Sequence, residues 1–227
     1  MFVNEHLVNV LFQIYMPLAH LINKFTHYDL NYENVLIYKP IENGIIEYIY
    51  HLDNNETVSF KSPYIVKIID YGRCYFNDGG DESSENVKRL VSNVCNGNNL
   101  GFKYLFYSPS ISDSKSNFIT SSIYNQSHDL RLLHMLKLKN INVPTDILNI
   151  YNKLKYANFY GTPPMESGYP TSLNNCHDAY LFLKDIINNP SYQTTNSIFD
   201  RDMFIKIGEL HIYADGNPVK FITPLHI

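Results

Sequence analysis

Tryptophan is absent from the 227 residues, cysteine occurs three times, and charged residues make up only 18%. The cysteines, Cys74, Cys95 and Cys176, stand far apart, are odd in number and form no C-x-x-C pair. That excludes a disulfide scaffold and a cysteine-rich zinc module, and it fits a reducing compartment. A basic excess is missing too: the net charge is -4 and the sequence pI about 6.1. A dedicated nucleic-acid binder normally carries the opposite balance, so no nucleic acid is expected as a partner, although a local basic groove stays open. His51, His128, His134 and His177 are too scattered to argue for a metal site.

What is present is apolar and polar-uncharged. Hydrophobic residues reach 44%, enough to bury a substantial core in one large domain or two small ones. There are 27 asparagines, 19 tyrosines and 13 phenylalanines. Asn, Ile, Tyr, Lys and Phe share A/T-rich codons, so this excess speaks of genome composition, as in large DNA viruses and some parasites, and not of chemistry.

Phe2 to Ile22 is apolar almost throughout and about as long as the roughly 20 residues a membrane helix needs. Asn4, Glu5, His6, Asn9, Gln13, Pro17 and His20 interrupt it. It has neither the basic start nor the small-residue cleavage site of a signal peptide. A helix apolar on nearly all sides also suits the middle of a soluble domain, and residues 1–24 are expected to form that buried helix. No membrane contact and a cytoplasmic location follow as expectations.

The most informative stretch runs from Lys24 to Tyr38. Its core, His27-Tyr28-Asp29-Leu30-Asn31-Tyr32-Glu33-Asn34, is a polar loop that precedes a short β-type run, Val35 to Tyr38. A carboxylate followed five residues later by an amide oxygen places a base near a substrate hydroxyl and a ligand near a metal, the two needs of phosphoryl transfer. A second run, Ile65 to Ile69, ends in Asp70-Tyr71-Gly72-Arg73. Aspartate at a strand end suits Mg²⁺, and the glycine is expected to let the following backbone turn sharply.

These motifs resemble the catalytic loop and the Asp-Phe-Gly segment of the protein-kinase superfamily. The resemblance implies Asp29 as catalytic base, Asn34 and Asp70 as ligands of Mg²⁺ and contacts of ATP, and His27 as structural support between the loop and the Asp-Tyr-Gly turn. It implies further that Phe2 to Asn23 is the long buried helix before the catalytic loop. Ser127-His128-Asp129-Leu130-Arg131 reads as a helix start with Ser127 as N-cap. Asp129 either ties down the catalytic-loop backbone, as its position in the family suggests, or only complements a helix N-terminus.

Departures limit what the resemblance carries. Tyr28 stands where many kinases have arginine, which removes the basis for control by an activation-loop phosphate. Asn31 replaces the lysine that protein kinases use on the transferring phosphate, as small-molecule kinases of the aminoglycoside and choline type also do. No Ala-Pro-Glu motif is found; Tyr107-Ser-Pro-Ser110 matches poorly. No glycine-rich loop or Val-Ala-Ile-Lys strand precedes His27, and Gly79-Gly80 and Gly97 to Gly101 come too late for one. The chain therefore resembles a C-terminal lobe alone, expected to be inactive unless a longer polypeptide or a second chain supplies the N-terminal lobe.

The expected fold is α+β and mainly helical, one kinase-like C-terminal lobe over 1–227 with small β-hairpins. Residues 25–72 hold the catalytic loop, an inserted hairpin (Gly44 to His51 and Glu56 to Phe60 around Asp53-Asn54-Asn55) and the Asp-Tyr-Gly motif. Residues 73–126 are activation-segment-like, with an exposed acidic and serine cluster at Asp78 to Glu85 in which Ser83 and Ser84 are candidate phosphorylation sites. Residues 127–227 form a helical subdomain, with helices over Thr145 to Lys155 and Asn174 to Asn188, a loop at Gly161 to Pro170, and Phe204 to Tyr213 as helix or strand. Three functions follow: a Ser/Thr-type protein kinase lobe using Mg²⁺ and ATP on a protein hydroxyl, of viral type and located in host cytoplasm or virion; a kinase of small-molecule hydroxyls; or a non-catalytic, pseudokinase-like binding module.

Overall fold

Helix α1 (Phe2–His20) is apolar on most sides, and from His6 to Ala19 other elements cover nearly all of it. From Leu7 to Ala19 ten of its side chains are buried in the central hydrophobic cluster. Gln13, Pro17 and His20 form one narrow, less buried stripe at spacings of four and three. The polar interruptions are its anchors. Asn9 is fully buried, donates to the Lys61 carbonyl at 3.1 Å and accepts from the Tyr192 hydroxyl. Gln13 bridges the Tyr64 carbonyl (3.2 Å) and the Val66 amide (3.1 Å). Among the described residues, no helix is long and apolar enough to cross a membrane.

The computed structural model describes residues 2–77, 103–105, 116–118, 124–139, 143–155 and 166–223. After α1 the strands are β1 (Phe25–Thr26), β2 (Val35–Tyr38), β3 (Gly44–His51), β4 (Thr57–Ser62), β5 (Ile65–Ile68), β6 (Tyr75–Phe76), β7 (Lys103–Leu105) and β8 (Ser116–Phe118). Helices α2 (Arg131–Leu138), α3 (Thr145–Lys153), α4 (Cys176–Asn188) and α5 (Pro190–Asn196) follow, then β9 (Ile205–Tyr213) and β10 (Lys220–Ile222). Short antiparallel ribbons pair β1 with β6, β2 with β5 and β7 with β8.

The expected inserted hairpin is there: β3 and β4 pair antiparallel, His51 opposite Thr57, with the Leu52 amide closing on the Glu56 carbonyl at 2.8 Å. Its role is larger than an extension. The other edge of β3 pairs in parallel with β9, and β10 adds to β9, giving a four-stranded sheet in the order β10-β9-β3-β4. Phe204 to Tyr213 is therefore strand and not helix. Gly208 in β9 is required by space: a Cβ there would stand 2.5 Å from the Phe221 ring and 2.7 Å from the Ile222 carbonyl.

The inner face of this sheet meets α1 and α4 through aromatic rings. Phe12 packs edge-on against Tyr50 at 5.0 Å and Phe60 at 5.8 Å, and Tyr180 of α4 completes the contact at 5.8 Å. Tyr48 stacks on Phe60 at 5.2 Å. Each such pair contributes about 0.5–1.5 kcal/mol beyond area burial. The fold is α+β, and a helix against a sheet organises it, not the helical predominance expected from the sequence.

Two boundaries differ from expectation. Helix α3 ends at Lys153, and Leu154 leaves it to bridge in parallel to Leu173. Ser127 caps nothing with its side chain; Asn125 Oδ1 accepts instead from the amides of Ser127 and His128, both at 3.1 Å. A short 3-10 turn, His128–Leu130, then leads into α2. Cys74 and Cys176 are buried and free. Cys95, the Asp78 to Glu85 cluster with Ser83 and Ser84, Gly97 to Gly101, Tyr107 to Ser110 and the first half of the Gly161 to Pro170 loop lie outside the described residues.

Candidate functional site

The loop His27 to Asn34 is held in place from three directions. Helix α2 sends the first support through the turn before it. Asp129 is buried, and its carboxylate accepts from the His27 amide (2.7 Å, Oδ2) and the Tyr28 amide (3.0 Å, Oδ1). Its own carbonyl accepts from the Tyr15 hydroxyl of α1 at 3.0 Å. Asp129 thus binds the loop backbone, which is more than complementing a helix N-terminus. Tyr28 sits in the left-handed region at φ 63°, a conformation an L-residue holds only when its surroundings impose it.

His27 gives the second support. The Asp29 amide donates to its Nδ1 at 3.2 Å, so the ring carries its proton on Nε2 and donates to the Ile69 carbonyl at 2.9 Å. The ring lies 5.5 Å from that of Tyr71. This ties the loop to the end of β5. The β2–β5 ladder gives the third: Val35 faces Ile68, and one step beyond, the Ile69 amide donates to the Asn34 carbonyl at 3.0 Å. Asn34 and Asp70 therefore arrive at the same end of one ribbon.

Asp29 lies between these supports. Asn34 Nδ2 donates to its carbonyl at 2.9 Å, and Asn31 Nδ2 donates to its carbonyl and to Oδ1, both at 3.1 Å. Arg131 Nη1 donates to the same Oδ1 at 3.1 Å, an ion pair with both residues nearly buried. Asp70 is exposed and takes the left-handed conformation, φ 62° and ψ 66°. The sharp turn expected at Gly72 is made at Asp70 instead. Gly72 does not need positive φ, and a Cβ there would meet only Asp70 Oδ1 at an ordinary 3.5 Å.

Electrostatics mark the centre as acidic. The buried Cys74 thiol, 3.4 Å from the His27 carbonyl, is pushed far up by burial and then by Asp129, Asp70 and Asp29. Burial raises the Tyr28 phenol as well, with Asp129 adding to it. Both groups stay protonated and inert at neutral pH.

Among the described residues, no group of three or more His, Cys, Asp or Glu side chains converges as a metal cage. The Asp70 carboxylate and the Asn34 amide oxygen are hard oxygen donors, too few to hold an ion alone. That donor set suits Mg²⁺, which is commonly held by one or two carboxylates together with substrate phosphates and water. An apolar groove of about 450 Å³ lies between α1 and β5, lined among others by Leu18, Leu21, Phe25, Ile68 and Tyr71. A second cleft of about 490 Å³, with His51, Glu56, Tyr213 and Asp215, lies at the β3–β4 turn.

The sequence singled out His27, Asp29, Asn34, Asp70, Gly72 and Asp129, and all six are within or bonded to this one region. It missed Arg131, whose only signal is its place two residues after Asp129, and Asn125, the cap that starts the turn. No protein-family model, curated protein or solved structure matches the chain.

Proposed function

We propose that the chain is the catalytic lobe of an ATP-dependent phosphotransferase of the protein-kinase type. It would transfer the γ-phosphoryl group to a protein Ser/Thr hydroxyl, working with an N-terminal lobe in the same polypeptide or in a second chain. The observation that carries the reading is the meeting of Asp29, Asn34 and Asp70 at one end of the β2–β5 ribbon, with the loop backbone held by Asp129. Phosphoryl transfer asks a protein mainly for positioning and charge, and this loop is over-determined in position.

Asp29 would accept the proton of the attacking hydroxyl as its oxygen bonds to Pγ and the bond to the β,γ-bridging oxygen breaks, releasing ADP. Asn34 and Asp70 would hold Mg²⁺, which when bound neutralises phosphate charge. His27 would keep Asp29 and the Ile69–Asp70 turn in fixed relation, since its ring bonds both. Asn31 in place of lysine also suits a small-molecule hydroxyl as acceptor. The burial of Asp29, 6% exposed and paired with Arg131, favours a non-catalytic binding module as the second reading.

Transfer from [γ-³²P]ATP to Ser/Thr peptides, amino-alcohols and aminoglycosides separates these. In the enzyme completed by its N-terminal lobe, Asp29→Asn is expected to abolish transfer while Mg²⁺-nucleotide binding persists. Transfer by Asp29→Asn at the wild-type rate would remove the role given to Asp29.

A further inference from the structure

The turn and helix around Arg131 grip the loop twice. Asp129 holds its backbone, and two residues on, the Arg131 guanidinium holds the side chain of Asp29 at 3.1 Å. Asn31 reaches the same Oδ1 at 3.1 Å, so one carboxylate oxygen receives a charged and a neutral donor from two different elements. Arg131 is 8% exposed, so solvent screens the pair little.

The site has a charge problem that this pair answers. Asp29, Asp70 and Asp129 stand close enough together that the Cys74 thiol senses all three. The loop from His27 to Asn34 contains no lysine or arginine. A nucleoside triphosphate approaching Asp29 would bring further negative charge into this cluster, and more of it than a diphosphate brings. A guanidinium is always charged and has the planar donor geometry that suits carboxylate and phosphate alike.

We propose that Arg131 is the positioning residue of this centre: by its ion pair with Asp29 it fixes the carboxylate and offsets its charge, so that the site accepts a nucleoside triphosphate in preference to a diphosphate. The proposal rests on the phosphotransfer reading above. It assigns to the start of α2 the cation that Asn31 does not supply.

Calorimetric titration of Mg²⁺-ATP and Mg²⁺-ADP into the full chain tests it, with Arg131→Gln, Arg131→Lys, Asp29→Asn and the double variant Asp29→Asn/Arg131→Gln alongside. Arg131→Gln is expected to weaken ATP about tenfold and leave ADP within about twofold, with Arg131→Lys retaining most of the preference. Asp29→Asn is expected to shift the preference toward ATP, and the double variant to fall below it. Arg131→Gln leaves a buried carboxylate uncompensated. Should that variant not fold, Asp29→Asn against the double variant reads the charge of Arg131 without the ion pair, and an unchanged ATP-to-ADP ratio between those two overturns the proposal. Equal loss of ATP and ADP affinity, or no loss of either, overturns the proposal, because a merely structural pair would not touch the ratio. A wild-type chain without magnesium-dependent nucleotide binding overturns the phosphotransfer reading itself, and this is seen before any variant is made.

Discussion

The His27 amide and the Asp129 carboxylate, 102 positions apart in the chain, meet at 2.7 Å. With the Tyr28 amide on the other carboxylate oxygen, this contact sets the loop that carries Asp29. Asp129→Ala leaves two buried amides without their acceptor. Hydrogen bonds to a charged group contribute about 1.5–3 kcal/mol each, so a loss of about 3 kcal/mol is expected in urea unfolding. A loss under about 0.5 kcal/mol would mean the loop holds itself.

The left-handed turn that residue type would give to Gly72 falls at Asp70. Gly72→Ala is expected to leave stability within about 0.5 kcal/mol of wild type, since its Cβ meets only ordinary contact. Asp70→Gly relaxes a left-handed residue but adds freedom to the unfolded chain, and the two effects nearly cancel. Asp70→Val, β-branched at φ 62°, is expected to cost about 1–2 kcal/mol. Thermal melts of the three variants check the order.

Gly208→Ala is the opposite case. Its Cβ would collide with the Phe221 ring and the Ile222 backbone where β10 joins β9. Overpacking of this kind costs about 1–3 kcal/mol. Unfolding with wild-type midpoint would show that β10 can move off the sheet freely.

His177 makes stability depend on pH. Burial lowers its pKa below the ordinary 6.5, with His20 and Lys184 adding to the effect and Asp178 opposing it. The unfolded chain then binds the proton more readily than the folded one, so stability is fully present above the unfolded value and falls as pH drops below it. Melting temperatures between about pH 7.5 and about pH 5 should fall less in His177→Gln than in wild type. Parallel curves would remove His177 as a source.

Cys74 lies in the candidate site yet is expected to be unreactive. Burial and three carboxylates keep its thiol protonated, so maleimide should label it only on unfolding. Rapid native labelling would contradict the packing around His27.

Much of the site was legible because its parts are local in sequence: a loop read against the strand after it, and an aspartate at the end of another strand. The buried helix α1 was legible for the same reason, from its nearly continuous apolar run, while the anchoring by Asn9 and Gln13 shows only in the fold. What was not legible depends on distant partners. Strand β9 could not be told from a helix because its neighbours, β3 and β10, decide its geometry and Gly208 answers to Phe221. Arg131 carried no signal of its own in the helix-start run, because its partner Asp29 lies 102 positions away and only the fold brings the two together. The turn at Asp70 was assigned to glycine because glycine is the commoner left-handed residue, but the contacts of this loop impose that conformation on aspartate.

The central claim is that Asp70 and Asn34 form half of a magnesium-nucleotide site. Thermal unfolding of the chain with and without Mg²⁺-ATP, beside Asp70→Asn, tests it most directly, since asparagine tolerates the same left-handed backbone. Ligand at about 100 times its Kd adds about 2.7 kcal/mol of stability. The account predicts a magnesium-dependent rise in melting temperature that Asp70→Asn loses. An unchanged melting temperature at millimolar nucleotide, or an equal rise in the variant, would contradict it.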